Sequence, residues 1–208
     1  TVLSTDSCLS VDIFLPLHYI LPMKIKTMTR ISIFTVLTIV GARIMIPLPL
    51  VPFTLQTMVC MLAGLVLGAK HGAASLALYM LMGLAGVPVF TGGGGLGAVF
   101  TPSFGYVVGF IACAALSGTI ASAIRKMHGE VTVGGYFAAA LVGVLAAYLF
   151  GLVHLYVILN FYLSGGGTPL FKVLSIGFFS TIGGDVIKAA IAAVIAKKLE
   201  KTGLIEQR

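Results

Sequence analysis

Apolar residues fall into six runs along the chain, at about 30–48, 55–69, 72–86, 103–125, 133–161 and 171–197, separated by short polar or Gly/Pro-rich breaks. A helix that crosses the hydrocarbon core of a bilayer needs about 20 apolar residues. Four runs approach or exceed that length, while the second and third, near 15 residues each, are short. Joined, those two would make one long span, but Lys70-His71-Gly72 between them predicts a turn. Short segments beside Pro- or Gly-rich breaks are also where membrane transport proteins place binding sites. The pattern predicts an all-α bundle of six transmembrane helices.

Composition strengthens the membrane assignment. The chain is 59% hydrophobic and 9% charged, with 26 glycines and no tryptophan, too little polar surface for a soluble domain of 208 residues. A net charge of +7 would otherwise suggest a nucleic-acid partner, but the placement of the basic residues says something different. Lys24, Lys26 and Arg30 precede the first run, and Lys70 and His71 separate the second from the third. Arg125, Lys126 and His128 separate the fourth from the fifth, and Lys197, Lys198 and Lys201 follow the sixth. The intervening connections at 47–54 and 87–102 are uncharged, and the one near 164–172 holds only Lys172. Cytoplasmic loops carry the Lys/Arg excess, so both termini are expected inside and the uncharged loops outside. Residues 1–22 break with this pattern and form a poor signal peptide, so they read as an extension, native or not, before a natural start at Met23. Residues 23–201 then form the membrane domain and 202–208 a cytoplasmic tail.

Small residues recur at helical spacing. Gly64 with Gly68, and Gly105 with Gly109, allow close approach of helix backbones. Ser32, Thr35, Thr38 and Ala42 make a small face on the first helix, suited equally to internal packing or to docking of a partner subunit. No internal repeat is evident.

Candidate chemistry is sparse. Cys8, Cys60 and Cys113 have neither disulfide-framework nor zinc-ligand spacing, so no metal is expected. Gly92-Gly93-Gly94-Gly95-Leu96-Gly97 matches a dinucleotide fingerprint in form, but no βαβ unit surrounds it and no acidic residue follows about 20 positions on. No P-loop occurs, so ATP binding on this chain is not expected, nor is any other cofactor. What the glycines offer is backbone N–H groups that a ligand can approach, unless the loop is merely flexible. His154 is alone in the fifth run, and no nucleophile–base constellation stands on facing positions, which predicts a protein that is not an enzyme.

The feature that demands a function is Gly183-Gly184-Asp185-Val186-Ile187-Lys188, at the head of the last span. Asp185 and Lys188 share a helical face. Each unpaired charge at mid-membrane depth costs roughly 3 kcal/mol on insertion scales, so the pair must face a bundle interior or a cavity. An ion pair that only locks helix packing is the simpler alternative. Gln56 at the head of the second run, and Tyr106 after the glycine loop, add polar handles on the same side.

Three ordered motifs carry a resemblance over about residues 28–200: Pro52-Phe53-Thr54-Leu55-Gln56-Thr57, Gly83-Leu84-Ala85-Gly86-Val87-Pro88-Val89-Phe90 with the glycine tract, and Gly184-Asp185-Val186-Ile187-Lys188. Together they resemble the BioY family, the biotin-specific substrate-binding S components of energy-coupling factor (ECF) transporters. The resemblance implies a six-helix bundle in the plasma membrane of a prokaryote, holding one biotin near its outer side. It also implies a transmembrane coupling subunit and two cytoplasmic ATPases as partners, although some members are thought to work without dedicated energising subunits.

By matching positions it implies a substrate site of Asp185, Lys188, Gln56, Tyr106 and the covering loop 91–97; the chemistry of biotin adds amides near Gly93 and Gly94 as donors and Phe90 and Tyr106 as packing for the ring. Lys188 is expected to attract the biotin carboxylate, and Asp185 to accept from a ureido N–H or to orient Lys188. Relatives often read G-P-[ST]-G-G-Y where Thr101-Pro102-Ser103-Phe104-Gly105-Tyr106 stands here, and some carry an Asn and an Arg near Gly94 and Val107. Arg43 would replace that Arg or else snorkel to the outer interface. A different vitamin as substrate, or a solitary biotin facilitator, stays open, as does an intramembrane enzyme, which the lack of a nucleophile–base pair disfavours. On the small face of the first helix, the coupling subunit is the expected occupant.

Overall fold

The computed structural model describes residues 25–48, 50–163, 167–202 and 205. The expected extension at 1–22 and most of the tail at 202–208 therefore lie outside the described residues.

Helices dominate. In order they are α1 (Ile25–Arg43), α2 (Gln56–Leu84), α3 (Phe104–His128), α4 (Val133–Val157), a short α5 (Leu170–Leu174) and α6 (Ile182–Lys201). Wide π-helical turns extend α4 through Ile158–Leu163 and join α5 toward α6 through Ser175–Phe179. Two-residue strands β1 (Met45–Ile46) and β2 (Phe53–Thr54) pair antiparallel between α1 and α2. Five helical stretches are long and apolar enough to cross a membrane: Ile25–Arg43, Gln56–Leu84, Phe104–His128, Val133–Leu163 and Leu170–Lys201. The chain is an all-helical, multi-pass membrane protein.

The α2 stretch is not one straight rod. Gly68 sits at φ 79° and ψ 173°, outside helical space, where a residue without Cβ is favoured. Its two limbs fold back on each other, so that Gly72 packs on Ala63 and Gly64, and Gln56 reaches Tyr79 across 23 positions of sequence. A straight helix would put those last two residues about 34 Å apart. The reversal therefore falls at Gly68, and Lys70 and His71 lie in the first turn of the second limb.

Close backbone approach builds the centre. Gly64 meets the Ala114 backbone, and Gly118 lies against Gly68 and Ala69, so both limbs of α2 are clasped by α3. Gly109 and Ala147 bring α3 equally close to α4. Such small-residue contacts replace the hydrophobic driving force that lipid cannot supply.

The small face of α1 turns inward. Thr35, Thr38 and Ala42 are buried within the chain, and Thr35 Oγ1 lies 3.0 Å from the Ser75 carbonyl on α2. Ser32 faces outward instead. The expectation that this face receives a coupling subunit is thus overturned, because helix phase spends it on α2. The face α1 leaves exposed is large and apolar: Ile33, Val36, Leu37, Val40 and Ile44.

At the end of the bundle that holds the basic residues, Arg125 bonds the Tyr136 hydroxyl at 2.6 Å and pairs with Glu200 at 3.1 Å. Lys197 bridges Glu200 and Glu130, both at 3.0 Å. This network ties the last turn of α6 to the α3–α4 corner.

Candidate functional site

The opposite end of the bundle holds a cavity of about 350 Å³. That lies at the lower end of the range for small-molecule sites, about 300–1,000 Å³. Its floor comes from α4 and α6, its walls from the β2–α2 corner and α3, and its cover from the loop between α2 and α3. Helix ends and loops meet here, which is why polar groups are available at all.

Asp185, only 4% exposed, stands on the floor in the first turn of α6. Its Oδ2 accepts from the Tyr148 hydroxyl at 2.5 Å. With that proton committed, Thr181, 2.8 Å from the Tyr148 oxygen, donates to it. Asp185 Oδ1 has the Lys188 ammonium at 2.5 Å but no aligned hydrogen-bond donor among the described residues. A carboxylate has about four lone-pair directions, more than these two partners use.

Lys188 does not line the cavity. Its Nζ pairs with Asp185, donates to the Thr54 carbonyl at 2.7 Å and lies 3.8 Å from the centre of the Phe53 ring. The Thr54 carbonyl takes one donor direction of the ammonium, and the carboxylate and the ring hold it by charge. Phe53 can sit this close to α6 because Gly184 presents no side chain to its ring. The motif thus locks β2 to α6 and neutralises Asp185 from behind.

Gln56, at the first position of α2, lines the cavity and gives Nε2 to the Tyr79 hydroxyl at 2.8 Å. Tyr79 in turn donates to the Val89 carbonyl at 3.3 Å, which joins the floor of the covering loop to α2. Tyr106 lines the cavity with its ring while its hydroxyl bonds Gly177 O at 2.9 Å. Phe90 lines it too and meets Tyr79 edge-to-face, with centroids 5.4 Å apart.

The glycine loop is pinned rather than loose. Phe90 and Gly93 exchange backbone bonds at 2.9 and 3.1 Å, and Gly95 N donates to Gly83 O at 2.7 Å. Gly92, Gly94 and Gly97 border the cavity and are exposed on the outside, whereas Gly93 is not part of the lining. Arg43 is engaged with the Pro88 carbonyl, which fastens the end of α1 to this loop, and it too stays off the lining. Lys172 is exposed on α5. His154 stands outside the site, with Nε2 3.3 Å from Thr101 O.

Of the residues singled out from sequence, the fold brings Asp185, Gln56, Tyr106, Phe90 and Gly94 around one cavity. Tyr148, Thr181, Tyr79 and Phe104 line it as well and carry no sequence signal. Tyr148 lies mid-way along an apolar run, and only the packing of α4 against α6 reveals its bond to Asp185. Among the described residues, no cluster of side chains suits a metal ion.

Comparison with known proteins agrees on one family. The family model described as the BioY family matches residues 16–204. A relative from Lysinibacillus sphaericus, described as "Probable biotin transporter BioY", is 38% identical over 84% of this chain and 87% of its own length. The "Biotin transporter BioY" of Thermotoga maritima is 36% identical over 85% of this chain and 96% of its own. A crystal structure described as the S-component for biotin from an ECF-type ABC transporter superposes with a TM-score of 0.74 and 30% identity, covering 85% of this chain and 92% of that one.

Proposed function

From the premise that this chain belongs to the BioY family, we propose that it is the membrane-embedded biotin-binding subunit of a vitamin uptake system. The observation that carries this is the cavity itself: a largely apolar chamber with a single carboxylate, Asp185, among its lining residues. Biotin offers a ureido head with two N–H donors and one C=O, an apolar sulfur ring, and a valerate tail. Asp185 accepts from a ureido N–H, with Tyr148 and Lys188 fixing its carboxylate. Phe90 and Tyr106 pack on the rings, and Gln56 and the amides near Gly94 supply further hydrogen bonds.

The assignment of Lys188 follows from its partners. Held off the cavity lining by Asp185, Phe53 and the Thr54 carbonyl, it serves the site by orienting Asp185 rather than by meeting the carboxylate. Gly93 acts through the shape of the loop.

The bundle is read as six spans, because the α2 stretch reverses at Gly68. Basic residues gather at one end and the cavity opens at the other, so both termini lie in the cytoplasm and the cavity faces outside the plasma membrane. No covalent chemistry occurs on this chain. Biotin moves inward by reorientation or gating, driven by ATP hydrolysis on cytoplasmic ATPases acting through a transmembrane coupling subunit.

Isothermal titration of the purified protein with biotin tests this: one saturable site per chain is expected, and no binding by biotin, with binding of another vitamin, would refute the substrate. A Tyr148→Phe variant keeps the ring packing but removes the hydrogen bond that positions Asp185. A hydrogen bond to a charged group contributes about 1.5–3 kcal/mol, so part of that, roughly a tenfold loss of biotin affinity, is expected. Unchanged affinity would remove Tyr148 from the binding machinery.

A further inference from the structure

The cavity holds one formal charge among its lining residues, and it is negative. No Lys, Arg or His of the described residues lines it. Lys188 is 5% exposed and is occupied behind Asp185 and Phe53, while Arg43 is fastened to the Pro88 carbonyl on the loop. The Asp185–Lys188 pair is neutral as a unit, so the chamber offers an anion no net attraction. An unpaired charge inside a membrane protein is costly, and a carboxylate with nothing to pair with has its lowest free energy at a water-facing position. The polar groups that match the ureido head are at the floor, Asp185, Tyr148 and Thr181, and on the adjoining wall, Gln56. On the covering side the lining is Gly92, Gly94 and Gly97, exposed to solvent on the outside and uncharged, with Thr91 and Ser103.

We infer that this site selects biotin by its ureido head and is indifferent to the charge of its tail, so that carboxyl-derivatised biotins are ligands too. The ligand class is biotin and its amides, the primary amide and the lysine conjugate biocytin among them. Bound head-down, such a molecule directs its tail to the glycine-bordered mouth, where an added group meets solvent rather than a cationic partner. The inference rests on the biotin-binding function proposed above and adds to it the tolerance at the carboxyl end.

Titration of the full-length purified protein with biotin, biotinamide and biocytin tests it. Biotin and biotinamide are expected to bind within about tenfold of each other, a difference of about 1.4 kcal/mol or less. Biocytin is expected to compete with biotin for the same site. Truncating one partner of a buried charge pair costs far more, about 100-fold or above. If biotin binds and biotinamide is weaker by that much, a cation reads the carboxylate and the inference falls while biotin binding stands. If biotin itself fails to bind, both fall together. Raising salt from low to high concentration separates the cases independently, since biotin affinity stays constant at a site without a cation. An Arg43→Gln variant completes the test: the ratio of biotin to biotinamide affinity stays as in the parent, and a ratio that collapses toward one from a high parental value identifies Arg43 as the missing cation.

Discussion

An Asp185→Asn variant is expected to lose biotin affinity by about 100-fold and to fold less stably. Both losses have one origin. Asp185 is the proposed acceptor for biotin on the cavity floor, and a hydrogen bond to an ionised group is worth about 1.5–3 kcal/mol, or roughly 10–150-fold. It also neutralises Lys188, and removing one member of a buried pair leaves the other uncompensated at a cost of about 3–5 kcal/mol. The two effects separate in the double variant Asp185→Asn, Lys188→Met. Removing both charges relieves the orphaned ammonium, so thermal stability in detergent recovers substantially. Biotin affinity does not, since the acceptor is still missing. Full recovery of binding in the double variant would show that Asp185 acts only through packing, the simpler alternative for an intramembrane ion pair.

The second large effect lies away from the cavity. A Gly64→Leu substitution is expected to cost about 3 kcal/mol or more and to leave little monodisperse protein on size exclusion. A Cβ at this position meets the Ala114 backbone, with both the Ala114 Cα and carbonyl carbon at 3.0 Å. Backbone cannot swing aside as a flexible side chain does, and overpacking in a close-packed interior typically costs about 1–3 kcal/mol even where side chains can adapt. The same crossing holds Gly118 against Gly68, so forcing α2 from α3 also disturbs the reversal that shapes the wall of the site. Monodisperse Gly64→Leu protein with the parental melting temperature would mean that the α2–α3 crossing is looser than described.

Much of this molecule was legible from its pattern of residues. Apolar runs separated alternately by basic breaks and uncharged Gly/Pro loops locate the helices, because a bilayer sets both length and polarity. Position errors arose where apolar chain does other work. The run at 30–48 ends in β1 and an extended segment rather than in helix, and Met45–Ile46 pair with Phe53–Thr54. The turn expected at Lys70-His71-Gly72 falls at Gly68, since backbone freedom and not charge decides where a chain reverses.

The site shows the same division. Asp185 was legible because charge at membrane depth is costly and its i,i+3 spacing with Lys188 fixes their mutual reach. The direction of Lys188 was not. It depends on Phe53 and the Thr54 carbonyl, 134 positions away in sequence, and on the room that Gly184 leaves for an aromatic ring. Tyr148 and Tyr79 carry no such signal, because a tyrosine in an apolar run is ordinary until its partner on another element is known. The small face of α1 carried two meanings at equal weight, and helix phase against Ser75 decided between them.

The placement of the ligand is the central claim, and a structure of the protein with biotin bound measures it most directly. The ureido ring should lie within hydrogen-bonding distance of Asp185, between Tyr148 and Gln56, with the valerate tail running to the mouth beside Gly92 and Gly94 and no ammonium or guanidinium against its carboxylate. Biotin found outside this chamber, or inside it with the ureido ring under the glycine loop and the carboxylate on Lys188, would contradict the account.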